Sequence, residues 1–119
     1  MTDTTAPVQT SEERLAEFIA KGIKDSPIEA KIIKRIYKAL AKAGNPIVSV
    51  WDGEDDNAVS SLQEVYTQVF NLDEAHLYTQ SGAYVFVVMG QDWDTVADYN
   101  VSLEDTLKPV NDWIMEKMD

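Results

Sequence analysis

The chain contains no cysteine and a single histidine. The first absence excludes disulfides, thiolate metal sites and cysteine nucleophiles, and the second excludes a metal centre built on several imidazoles. Glycine is scarce, and none of the five glycines (22, 44, 53, 82, 90) falls into a phosphate-cradling spacing such as GxGxxG or GxxxxGK[ST]. Nucleotide-dependent enzymes of the usual kinds are therefore disfavoured. The longest apolar run, Ala83 to Met89, is far shorter than the roughly 20 residues a membrane helix needs. The Thr-rich, acidic stretch from Met1 to Thr10 has neither the basic start nor the apolar centre of a secretion signal. The expectation is a cytoplasmic protein without membrane contact.

Basic residues are the other shortage, and it is local. Residues 1–44 hold six acids and eight bases, a net of +2. Residues 45–119 hold fifteen acids and only Lys108 and Lys117, a net of −13, which gives −11 for the 119 residues. A composition of 45% apolar and 26% charged residues is that of a folded protein, and the length fits one domain. We expect residues 1–10 to form a flexible tail and residues 11–119 a single domain.

Hydrophobic periodicity and punctuation give the elements. Thr10 or Ser11 with Glu13 opens a first helix, with Leu15, Phe18, Ile19 and Ile23 on one face. Ser26-Pro27-Ile28-Glu29 opens a second, with Ser26 as cap, Pro27 in the first turn and Glu29 closing the box. That helix is expected to run to Ala43 and to stop at Gly44. Ile47 to Trp51 reads as a strand, Asp52 to Asn57 as an acidic loop, and Ser61 as the start of a third helix with Leu62, Val65, Tyr66, Val69 and Phe70 inward. Two β-prone runs, Leu77–Gln80 and Ala83–Met89, flank a Ser81-Gly82 turn. Residues 84–89 are apolar on both faces, as in a central strand. For Val96–Val101 a strand and a helical turn compete. Ser102 opens the last helix, which Pro109 should kink or split. The fold class expected is α+β, with a small, mostly antiparallel sheet of three to four strands packed against about four helices.

Two surfaces are candidate protein-binding sites. At about 100° per residue, Lys31, Lys34, Arg35, Lys38 and Lys42 share one arc of the second helix, opposite Ile32, Ile33, Ile36, Tyr37 and Leu40. Such a stripe is either a solvated face balancing the acidic body or a contact for phosphate or for an acidic protein surface. The acidic remainder of the chain would repel a nucleic acid, so an acidic protein, or the acidic part of a second copy, suits it better. The second candidate is Asp92-Trp93-Asp94, where an indole on a loop after a strand suits an interface anchor or a lid over the core edge.

Other clusters lead to no expected catalytic or metal site and no cofactor. Asp52-Gly53-Glu54-Asp55-Asp56-Asn57 fails the calcium-loop pattern, since Gly comes second and the twelfth position is Gln63. His76 has no nucleophile motif beside it. Asp98-Tyr99 suggests a structural tyrosine–carboxylate pair.

Four stretches together carry a resemblance: Ile47-Val48-Ser49-Val50-Trp51-Asp52-Gly53-Glu54, Gly82 to Gly90, Val96-Ala97-Asp98-Tyr99, and Ser102-Leu103-Glu104-Asp105 with Pro109-Val110. Over roughly residues 30–115 the order resembles small uncharacterised proteins of actinobacterial bacteriophages. The resemblance implies a phage product acting in the bacterial cytoplasm and supplies no site residues. The function expected is a non-enzymatic acidic binding or regulatory protein, a phage accessory factor that engages a host or phage protein, with self-association as a further use of the bipolar charge. The alternatives are a DNA mimic that inhibits a DNA-binding protein, supported by the −13, and a small carboxylate-dependent enzyme using Asp92, Asp94, Asp98 or His76.

Overall fold

The computed structural model describes residues 10–118, so the expected tail at residues 1–10 lies outside the described residues except for Thr10, which caps the first helix. The elements in order are α1 (Ser11–Asp25), α2 (Pro27–Lys42), β1 (Ile47–Trp51), β2 (Asp56–Ala58), α3 (Leu62–Val69), β3 (Glu74–Thr79), β4 (Tyr84–Val88), β5 (Val96–Tyr99) and α4 (Glu104–Met118). Short 3₁₀ turns at Asp92–Asp94 and Val101–Leu103 precede β5 and α4. The class is α+β as expected, but the sheet has five strands rather than three to four, all antiparallel, in the order β2-β1-β3-β4-β5.

The extra strand lies where the sequence reads as an acidic loop. Asp52 turns the chain by accepting from the backbone N–H groups of Glu54 and Asp55, both at 2.8 Å, and Asp56–Ala58 returns along β1. Three polar or small residues have no β pattern of their own, and it is the exposed ladder of β1 that recruits them. Val96–Tyr99 resolves as a strand for the same reason, pairing along β4.

α2 is the spine of the helical layer. Ile32, Ile33, Ile36 and Leu40 are fully buried, and burial of such side chains contributes roughly 1.5–3 kcal/mol each. They pack in one cluster with Val50, Leu77, Val85 and Val87 from the sheet, Val65, Tyr66 and Val69 from α3, and Leu107, Val110 and Ile114 from α4. The hydroxyl of Tyr66 donates to the Ala30 carbonyl at 2.8 Å, tying α3 to α2.

Helix ends follow their expected signals in part. Thr10 and Glu13 form a reciprocal capping box, and Ser61 accepts from the Glu64 amide. Gly44 takes φ +76° at the expected stop of α2, while the last helical residue is Lys42, one earlier than expected. Ser26 makes no side-chain cap bond, and the Glu29 carboxylate that would complete the box is buried and serves a different partner. α4 starts at Glu104 and runs unbroken through Pro109, held by buried Leu107, Val110 and Ile114 on its inner face. Met118, at helical spacing from Ile114 on the same side, is exposed. The β3–β4 connection is a three-residue loop, closed by the Thr79 amide on the Ala83 carbonyl, with Gly82 at φ +89°. Asn45 fixes this loop by bonding both the backbone N–H and the hydroxyl of Ser81. No helix among the described residues is long and apolar enough to cross a membrane.

α1 buries none of its residues fully and rests on α3 through Phe18, whose ring meets Phe70 edge-on at 6.5 Å. Gly22 is what permits this approach. A Cβ there would lie 2.3–2.6 Å from three ring atoms of Phe70. Gly22→Ala, which in an open helix stabilises by about 1 kcal/mol, is expected here to destabilise by about 1–3 kcal/mol; urea unfolding gives the sign.

Candidate functional site

The basic arc of α2 does not face solvent alone. Lys31, Lys34, Arg35 and Lys38 line one side of an open groove of about 520 Å³, and Trp113 and Lys117 of α4 line the other. Five cations therefore converge on one concavity with an indole in it, and no carboxylate is among its lining residues. Lys42, included in the stripe by helical phase, lies a turn beyond and does not line the groove. The two ion pairs among the described residues, Lys21–Asp25 and Lys108–Asp112, are local to α1 and α4 and use none of the groove's cations.

Stacking holds the groove's centre in place. The Arg35 guanidinium lies 4.0 Å from the centroid of the Trp113 ring, a cation–π contact. Trp113 in turn meets Trp93 edge-to-face at 5.4 Å. The two candidate surfaces of the sequence are thus joined through a residue that neither contained. Trp93 packs half-buried against the core as the support behind Trp113, while Asp92 and Asp94 beside it are exposed. Trp113 carries no sequence signal beyond being one of three tryptophans, since the groove arises only when α4 crosses α2.

Glu29 of α2 anchors the turn that carries Trp93. Its Oε2 accepts from the backbone N–H of Gly90 at 3.0 Å and of Asp92 at 3.3 Å, and its Oε1 is buried without a hydrogen-bond partner. The turn needs such an anchor, since Asp92 takes φ +51°, a left-handed conformation uncommon for a residue with a side chain.

The remaining sequence candidates are dispersed. Asp94 and Asp98 line a second groove, about 540 Å³, between β5 and α4, with Glu104 and the exposed Val101, Met115 and Met118. Both aspartates are exposed, and Asp98 is engaged by the Tyr84 hydroxyl at 2.9 Å and the Tyr99 amide at 2.8 Å. The expected Asp98–Tyr99 side-chain pair is not formed. Alternation puts Tyr99 on the inner side, where its hydroxyl accepts from Asn111 at 3.1 Å. Asp52 is held below the usual carboxylate range by the backbone N–H groups of Asp55 and Glu54. Among the described residues no three acidic or imidazole groups converge as a metal site would require. His76 lies on the open sheet face, ring to ring with Phe86 at 4.6 Å.

Two outcomes test this geometry. Glu29→Ala leaves two backbone donors without an acceptor and is expected to destabilise by about 1–3 kcal/mol, read by urea unfolding. The hydrogen bond to Asp98 raises the Tyr84 phenol above its ordinary 10.0, aided by burial and by the charge of Asp98. That contribution is present below the unfolded-state value and is lost as pH rises through the folded-state value. Asp98→Asn should therefore bring the Tyr84 titration, followed by ultraviolet absorbance, to lower pH.

No family model, curated protein or solved structure matches the chain.

Proposed function

We propose that this chain is a non-enzymatic binding protein that engages an acidic surface of a partner protein through the groove between α2 and α4. The observation that carries the reading is the convergence of Lys31, Lys34, Arg35, Lys38 and Lys117 around Trp113 with no carboxylate in the lining. Indole and guanidinium supply the kind of contact area that dominates protein interfaces, and the surrounding lysines steer an anionic partner. A nucleic acid fits less well, because a polyanion extending past the groove meets a molecule of net charge −11. On the resemblance to actinobacterial phage proteins, the partner belongs to the host or the phage.

The alternatives have weaker support. The acids of a DNA mimic would form rows on one elongated face, whereas here they belong to the β1–β2 loop, the sheet, the Asp92–Asp94 turn and α4. A carboxylate-dependent activity draws on Asp94 and Asp98 sharing the β5–α4 groove. Neither is buried, so that groove lacks the desolvation by which a general acid is usually tuned.

The test is capture from actinobacterial lysate with tagged protein at low and high salt. A salt-sensitive protein partner is expected with the native chain. Lys34→Glu combined with Arg35→Glu should reduce its capture at least tenfold, about 1.4 kcal/mol, and Trp113→Ala should reduce it without changing net charge. Capture unchanged in both variants overturns the assignment.

A further inference from the structure

One face of the sheet carries none of the described helices. The buried residues of the strands, among them Val50, Leu77, Val85 and Val87, all point to the helical layer. On the opposite face Trp51, His76 and Phe86 stand in one cross-strand row. A carboxylate closes each end of the row, Asp56 opposite Trp51 and Asp98 opposite Phe86. Tyr78 and Tyr84 form the next row. Ring centroids lie 5.3 Å apart for His76 and Trp51, 4.6 Å for His76 and Phe86, and 6.4 Å for Tyr78 and Tyr84, so the rings make one continuous, partly exposed surface. Glu74 stands on the same side by alternation, opposite Val88. Not one of the five strands contains a lysine or an arginine.

The chemistry of this face selects its ligand by sign. Aromatic faces present negative charge to an approaching group, and Asp56, Glu74 and Asp98 at the margins reinforce it. A planar guanidinium can stack on the rings while its N–H fork reaches a marginal carboxylate. Stacked nucleic-acid bases would use the same rings, but such sites place cations along the backbone track, and here the margin is anionic. A purely apolar partner would strip water from the marginal carboxylates and return no hydrogen bond. We propose that the open sheet face docks a basic, arginine-bearing segment of a partner protein. This surface is separate from the α2–α4 groove and opposite to it in charge preference.

The test is a two-dimensional NMR titration of the full-length protein with a synthetic peptide of alternating arginine and glycine, beside lysine–glycine and glutamate–glycine peptides. The arginine peptide should shift the resonances of Trp51, His76, Tyr78, Tyr84 and Phe86, and should bind more tightly than the lysine peptide. The glutamate peptide should leave these residues unmoved. Phe86→Leu and Trp51→Leu keep net charge and an apolar side chain but remove a π-face, and each should weaken arginine-peptide binding by roughly 2- to 30-fold. Urea unfolding confirms that the fold is kept, and Asp56→Asn, at an exposed position, offers a second route that leaves every ring in place and should weaken binding a few-fold. Lys34→Glu with Arg35→Glu should leave this binding intact, which separates it from the groove. Shifts spread over the acidic loops with affinity unchanged in the leucine variants would overturn the proposal. So would shifts at the same rings caused by a single-stranded oligonucleotide, or by raising the protein's own concentration, which would assign the face to a second copy.

Discussion

The apolar side of α2 against the inner face of the sheet is the contact on which the remaining structure depends. Ile32, Ile33, Ile36 and Leu40 have no exposed surface, and they belong to one core cluster with residues of the sheet, α3 and α4. Because an α-helix presents its faces in fixed angular relation, seating those four side chains also determines where everything else on the helix points. The basic arc is turned toward α4, and Glu29 is turned toward the Gly90–Asp92 turn. One packing event therefore orients the cationic groove and anchors the turn whose Trp93 braces Trp113 behind it.

Two layers also leave one sheet face without a helix among the described residues. A small α+β domain buries one side of its sheet and leaves the other to water, which ordinarily selects polar outward residues. Here β3 and β4 place His76, Tyr78, Tyr84, Phe86 and Val88 outward instead. Residues with large apolar surface held partly exposed in one patch are an unusual use of a solvent-facing sheet. The molecule thus separates its chemistry by face: cations and an indole where two helices cross, rings and carboxylates across the strands.

Much of the fold was legible because it is locally encoded. The Thr10–Glu13 box, the left-handed stop at Gly44 and the i, i+3, i+4 stripe of α3 depend on neighbours within a few residues. Other signals were outcompeted. Glu29 has the spacing of a capping-box partner for Ser26, yet the backbone amides of Gly90 and Asp92, more than sixty residues away, claim its carboxylate. β2 was illegible because its strand character belongs to β1, whose open edge organises it. The apolar character of residues 84–89 on both faces pointed to a central strand, and β4 does lie between β3 and β5. One face packs on the core, and the other is partly exposed aromatic surface.

By itself the sequence determined the α+β class, the amphipathic second helix with its five-residue basic arc, and the concentration of acids after residue 44. These are periodicities and sums, which need no knowledge of distant contacts. Tertiary structure alone decided that Trp113 and Lys117 complete the groove, that Lys42 stands outside it, and that Trp93 meets Trp113 edge-to-face. It likewise decided that Asp56 and Asp98 close the two ends of one aromatic row. Each of these depends on strand register or on where α4 crosses α2, both of which are set by the packing of residues far apart in the chain.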